Sequence, residues 1–159
     1  MKHEHFEIDY RLVPFEELPE ADRLLVEKAK EATYTSFSPY SNFRVGAALR
    51  MENGEVYLGS NQENASFTTG LCAERTAIFY ATAKNPGMAV TDLAIAARGT
   101  DGEFTSESTS PCGACRQVLA EIEHRAGRNM RLLLYSRAGV VVIESVGSLL
   151  PLQFNGDSL

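Results

Sequence analysis

Apolar positions recur along this chain in two rhythms, and the switches between them mark out its elements. Residues 1 to 18 follow neither rhythm clearly and read as an extended lead-in. From Pro19, the residues Ala21, Leu25, Ala29 and Ala32 recur at three- and four-residue steps, which predicts a helix that Ser38-Pro39 ends. The rhythm then drops to two: Phe43, Val45, Ala47, Leu49 and Met51 share one face of a strand. Asn53-Gly54 is a hairpin turn, and VYLGSN returns as the partner strand. CAERTAIFYATAK is helical in composition and stops at Asn85-Pro86-Gly87. TDLAIAARG is a short apolar strand, followed by the polar loop TDGEFTSES. A further helix is expected in CRQVLAEIEHRAG, with Gly127 as its terminator. MRLLLYS and VVVIES read as strands around Arg137-Ala138-Gly139, and SVGSLLP as one short helix before an irregular tail.

Strands alternating with helices in this order predict an α/β domain of three layers, with helices flanking a mixed five-stranded sheet. The length of 159 residues suits one domain over 19–159, with 1–18 as an N-terminal extension. Nothing in the first residues resembles a signal peptide and no apolar run approaches a membrane span, so the expected setting is the cytoplasm. A net charge of −6 gives no general attraction to a polyanion, which argues against nucleic acid as the main partner.

The cysteine count changes the picture. Cys72, Cys112 and Cys115 are the only three, so they cannot all pair, and a reducing compartment disfavours disulfides anyway. Cys112 and Cys115 sit three residues apart at the start of one predicted helix, behind Pro111, which suits that helix's opening. Cys72 stands at the opening of another. Where two helix N-termini meet, their dipoles favour thiolates, and three thiolates in tetrahedral array suit Zn²⁺. With no fourth cysteine, the natural reading is a zinc with one open position for water. Glu74, two residues after Cys72, could then move that water's proton as general base and acid. Taken alone, Glu74 is an ordinary first-turn acid answering the helix dipole. The cysteines have other readings too: a redox pair, or a structural zinc completed by His3, His5 or His124. The terminal GDSL string and the sequon Asn64-Ala65-Ser66 carry no weight out of context.

C-A-E at 72–74 with P-C-G-A-C-R-Q at 111–117 resembles the zinc-dependent cytidine deaminases, specifically their small, three-cysteine, homotetrameric class. The resemblance runs from about Tyr34 to Phe154 and includes SPYSNFRVGAAL and NQENASF. It implies that Cys72, Cys112 and Cys115 hold zinc and that Glu74 is the proton shuttle. The reaction implied is hydrolytic deamination of cytidine and deoxycytidine to uridine and deoxyuridine by a zinc-activated water, a step of pyrimidine salvage. The resemblance further implies that Asn61 and Glu63 bond the ribose, that Phe43 lines the nucleoside pocket, and that Ala73 offers its backbone to the pyrimidine edge. Arg75 would hydrogen-bond the zinc thiolates, and Phe154 would pack over the pocket of a neighbouring subunit. Phe67 stands where related sequences often carry tyrosine, so a hydroxyl contact at a subunit junction is expected to be missing. Two other readings stay open at this point: deamination of a related cytosine-containing nucleoside, and a zinc-binding module without catalysis.

Overall fold

The computed structural model describes residues 1–159. In chain order its elements are strand β1 (Arg11–Val13), helix α1 (Glu20–Ala32), strands β2 (Arg44–Met51) and β3 (Val56–Ser60), helix α2 (Ala73–Lys84), strand β4 (Val90–Arg98), helix α3 (Gly113–Ala126), and strands β5 (Arg131–Ser136) and β6 (Gly139–Ile143). They form one sheet in the order β1-β6-β5-β4-β2-β3. Only β4 and β5 run parallel, joined through α3; every other neighbouring pair is antiparallel. The sheet is therefore mixed, as expected.

It has six strands rather than five. The addition, β1, lies in the lead-in and pairs Arg11, Leu12 and Val13 with Val142, Val141 and Val140. Phe6, Ile8, Tyr10 and Leu12 do alternate with polar residues, which is the signal that could have revealed it, yet all four side chains remain exposed. This strand exists because the edge of β6 offers unpaired backbone groups, not because it buries a face. The segment SVGSLLP also differs in detail: it is a single 3-10 turn over Val146–Leu149.

Two apolar clusters lie on opposite sides of the sheet. Leu25, Val26 and Ala29 of α1 pack with Ala48, Ala94, Ala96 and Leu133. On the other face, Ala77, Ile78 and Ala81 of α2 and Leu119 of α3 pack with Ala47, Leu49, Leu93, Ile95 and Leu132. The period-two alternation of β2 distributes Ala47 and Leu49 to one layer and Ala48 to the other, so both of its faces are covered. Gly59 matters for α2: a Cβ there would lie 2.5 Å from both the Ala73 carbonyl oxygen and the Ala77 nitrogen. The absent side chain lets the first turn of α2 rest directly on β3.

Where β4 and β5 begin, four charged residues interlock. Asp22 of α1 accepts from Arg50 Nη2 at 3.0 Å and from Arg131 Nη2 at 2.7 Å. Asp92 accepts from Arg50 Nε at 3.0 Å and from Arg131 Nε at 2.8 Å. Both carboxylates are buried. The cluster ties α1 to β2, β4 and β5. No helix of the chain is long and apolar enough to cross a membrane.

Candidate metal centre

Both helices that start near the cysteines begin one residue later than their cysteine. Cys72 caps α2 with φ −71° and ψ 156°, and Cys112 caps α3 with φ −66° and ψ 168°. Neither cap makes a side-chain hydrogen bond to its helix, so both thiols are free to turn elsewhere. Cys115 lies in the first turn of α3, and Pro111 stands at the opening of that helix, immediately before the Cys112 cap.

The three sulfurs lie within 4.8 Å of one another, and Cys72 Sγ is 3.8 Å from Cys112 Sγ. Corners of a tetrahedron around zinc with bonds of about 2.3 Å are separated by about 3.8 Å, so this donor set fits zinc. The cluster comprises these three residues alone. His124, one of the histidines that could have completed it, instead places Nε2 3.2 Å from Asp157. Cys115 is buried, Cys72 half-buried and Cys112 exposed, so the cluster is closed behind and open in front.

Charge is poised around the sulfurs. The Cys72 thiol is pulled down to about 5, first by the hydrogen bond from the Cys115 thiol and then by Arg75, whose Nη2 lies 3.6 Å from the Cys72 sulfur. The same pairing, with burial, pushes Cys115 up: one thiol ionises and its neighbour keeps the proton. Glu74 is buried beside them, only 4% exposed. Burial raises its pKa, and the negative charge of Cys72 raises it further. Arg75 Nε is buried with no hydrogen-bond partner.

In front of the sulfurs, a cleft of about 490 Å³ is lined by residues that include Ser41, Asn61, Glu63, Phe67, Cys72 and Arg75. Its polar wall is a frame built from two loops. Asn61 accepts from Val45 N at 2.8 Å and Ser36 Oγ at 2.6 Å, and donates to the Phe43 carbonyl at 2.9 Å. The Glu63 carboxylate accepts from Tyr40 N at 2.8 Å, from Ser41 N at 3.3 Å and from the Ser41 hydroxyl. That hydroxyl is the first cause holding Glu63 below the usual carboxylate range.

Asn61, Glu63, Cys72 and Arg75 thus meet in one cleft. Phe43 joins through the frame rather than the lining and is half-buried. Ala73 is fully buried behind Cys72. Phe154 does not reach the cleft of its own chain: its side chain is exposed, and its carbonyl accepts from Gln117 Nε2 at 2.8 Å. Phe67 is exposed at the rim, edge-on to Tyr40 with ring centres 5.6 Å apart. Ser41 was not singled out by sequence reasoning, although SPYSNF lay in plain view; only the fold shows that its hydroxyl meets Glu63.

Residues 19–127 match the family model described as the cytidine and deoxycytidylate deaminase zinc-binding region. The chain belongs to this family. Among its relatives, a cytidine deaminase of Halalkalibacterium halodurans is 36% identical over 137 residues, covering 86% of this chain and 96% of the relative. One from Sporosarcina psychrophila is 38% identical over 135 residues, covering 85% and 92%. The crystal structure of cytidine deaminase from Burkholderia pseudomallei superposes with a TM-score of 0.71 at 41% identity, over 82% of this chain and 97% of that one. Membership of a zinc-binding deaminase family agrees with the sulfur geometry, which had already pointed to the same metal.

Proposed function

We propose that the protein hydrolyses cytidine and deoxycytidine to uridine and deoxyuridine, releasing ammonia, with zinc held by Cys72, Cys112 and Cys115. The observation that carries this reading is the convergence of three sulfurs beside the buried carboxyl of Glu74, with Cys72 among them lining an open cleft. When bound, zinc supplies a Lewis acid that makes a coordinated water acidic near neutral pH. Glu74 moves protons: its carboxylate takes one from the attacking water and delivers it to N3 of the ring, then takes a second from the hydroxyl added at C4 and gives it to the amino group, which leaves as ammonia. The burial that raises its pKa suits a carboxyl that must both accept and donate. Arg75 moderates the negative charge of the thiolates, so that three anionic donors do not overcompensate the metal.

Asn61 and Glu63 hold the ribose, in a frame already ordered by Ser36, Ser41 and Phe43. Ala73 presents its backbone to the pyrimidine edge, and Phe43 borders the base. The cleft's charged lining consists of Glu63 and Arg75, and Arg75 is turned to the sulfurs. A phosphate would therefore meet a carboxylate and no free cation, which favours a nucleoside over a nucleotide. Phe154, exposed and remote from its own cleft, fits a role in completing the site of a neighbouring subunit in a homotetramer. The catalytic unit is a single domain over 19–159, with 1–18 as an extension whose strand β1 widens the sheet. The activity belongs to cytoplasmic pyrimidine salvage.

The test is an activity panel of cytidine, deoxycytidine, cytidine monophosphate and adenosine, with zinc quantified per chain and with chelator as control. Turnover of the two nucleosides that stops with chelator is expected. One zinc per chain with no turnover would overturn the catalytic reading.

A further inference from the structure

In the P-C-G-A-C-R-Q motif, the final Arg116 and Gln117 hold no metal and do not line the cleft. Their side chains reach elsewhere. The Arg116 side chain holds the metal loop through Nε, which donates to the Pro111 carbonyl at 2.9 Å, beside the ordinary helical bond from its backbone N–H to the Cys112 carbonyl at 2.9 Å. The same guanidinium extends Nη1 to the Leu149 carbonyl at 3.1 Å. One planar group thus fixes a carbonyl beside Cys112 in relation to a carbonyl of the C-terminal segment.

That segment is moored to α3 at other points as well. The Glu123 carboxylate accepts from Val146 N at 2.9 Å, from Gly147 N at 3.0 Å and from the Ser145 hydroxyl at 2.7 Å. Gln117 Nε2 takes the Phe154 carbonyl at 2.8 Å. Of these moorings, Arg116 is the one that also touches the loop carrying Cys112. Cys112 makes no side-chain cap bond to α3 and its side chain lies exposed, so the backbone beside it depends on the Arg116 bond to Pro111.

We propose that Arg116 is a positioning residue that couples zinc retention to docking of the C-terminal segment. This rests on the reading that Cys72, Cys112 and Cys115 hold zinc. Coupling between two sites is reciprocal: if the docked segment steadies the metal loop, the bound metal must steady the segment by the same factor. Charge alone would not supply this, because a lysine at 116 could not span both carbonyls in the same plane.

The experiment uses the full zinc-loaded chain and two readouts: zinc transfer to a chromophoric chelator, and hydrogen exchange of the backbone amides in residues 147–154. Arg116→Ala is expected to release zinc roughly 10- to 100-fold faster, the range for groups that support metal ligands from behind. In the parent, stripping zinc should speed exchange across 147–154; in Arg116→Ala that exchange should be fast with or without metal. Should Arg116→Ala fail to fold, Arg116→Lys carries the same two readouts with intermediate values expected. Zinc transfer at the parent rate in the variant, or parent exchange indifferent to zinc, overturns the coupling. A parent that binds no zinc overturns the metal reading and the coupling with it, whereas a zinc-loaded parent indifferent to Arg116 overturns the coupling alone.

Discussion

The molecule holds two buried clusters of ionisable groups, and they are built on opposite principles. Among Asp22, Asp92, Arg50 and Arg131, two carboxylates meet two guanidinium groups, and each carboxylate accepts from both. Charge closes within the chain. Around Cys72, Cys112 and Cys115 it does not: one thiol is drawn toward ionisation, Glu74 is driven toward its neutral form, and Arg75 Nε lacks a partner. A balanced cluster has nothing left to offer a ligand and serves to fasten elements together. An unbalanced one costs stability that only an external group can return, which is why perturbed groups concentrate where chemistry happens.

If that division holds, substitutions in the two clusters should damage different properties. The largest effect is expected at Glu74. Glu74→Gln keeps shape and hydrogen-bonding capacity but cannot move a proton, so kcat on cytidine should fall about 10²- to 10⁴-fold. Zinc content should stay at the parent level, and the melting temperature should not drop, since the change removes a carboxyl that burial already disfavours as an anion. Turnover near the parent rate would remove Glu74 from the mechanism.

The balanced cluster should give the reverse pattern. Asp92→Asn leaves Arg50 and Arg131 facing a neutral amide, and breaking a buried pair from one side typically costs about 3–5 kcal/mol. Denaturant unfolding should register that loss while kcat per folded molecule stays unchanged. Acid sharpens the comparison. Against the cost of burial, bonds from Thr91, Arg131 and Arg50 hold Asp92 below its ordinary value of 3.8. A depressed carboxyl stabilises the fold above its unfolded pKa and loses that contribution as pH falls through its folded pKa. Stability of the parent should therefore fall with acidity below about pH 4 more steeply than that of Asp92→Asn.

A third substitution should strike both properties at once. Gly59→Ala places a Cβ 2.5 Å from the Ala73 carbonyl oxygen, and backbone cannot yield as a flexible side chain would. Overpacking of this kind costs about 1–3 kcal/mol. Because the displaced turn carries Cys72 at its cap, zinc affinity should weaken together with the melting temperature. A loss of stability with zinc affinity intact would mean that Cys72 does not depend on how α2 seats against β3.

How far these clusters were legible in the sequence differs for a physical reason. The sulfur cluster is carried by rare residues at a fixed spacing beside helix starts, and spacing survives folding. Glu74 gained meaning only from Cys72 next to it. The Asp22 cluster was invisible: Asp22 looks like an ordinary first-turn acid, Arg50 like the polar side of a strand, and only the sheet register that pairs Arg50 with Asp92 reveals them as partners. The strand hidden in the lead-in shows the same limit. Its exposed alternation leads nowhere until β6 supplies an edge. Phe154 is legible by resemblance alone: within one chain its ring is exposed and lines no cleft.

The smallest expected effect falls between the two clusters in character, at Ser41. Its hydroxyl donates to Glu63 and accepts from Phe43 N at 3.1 Å, linking an acid of the cleft to the loop that borders it. Here charge is neither closed nor left open but tuned. Ser41→Ala removes one donor while Tyr40 N and Ser41 N still hold the carboxylate. The lost hydrogen bond should raise KM for cytidine about threefold with kcat unchanged, the pattern of an interaction made equally in ground and transition states. Glu63 should also return toward the ordinary carboxylate range, because the Ser41 hydroxyl is the first cause of its depression. On the proposal that Glu63 holds the ribose, a carboxyl that protonates at higher pH loses that contact sooner, so the acid limb of kcat/KM should move upward in pH. A fall in kcat instead would place Ser41 with the proton-moving groups, and the boundary between tuned frame and unbalanced centre would have to be redrawn around it.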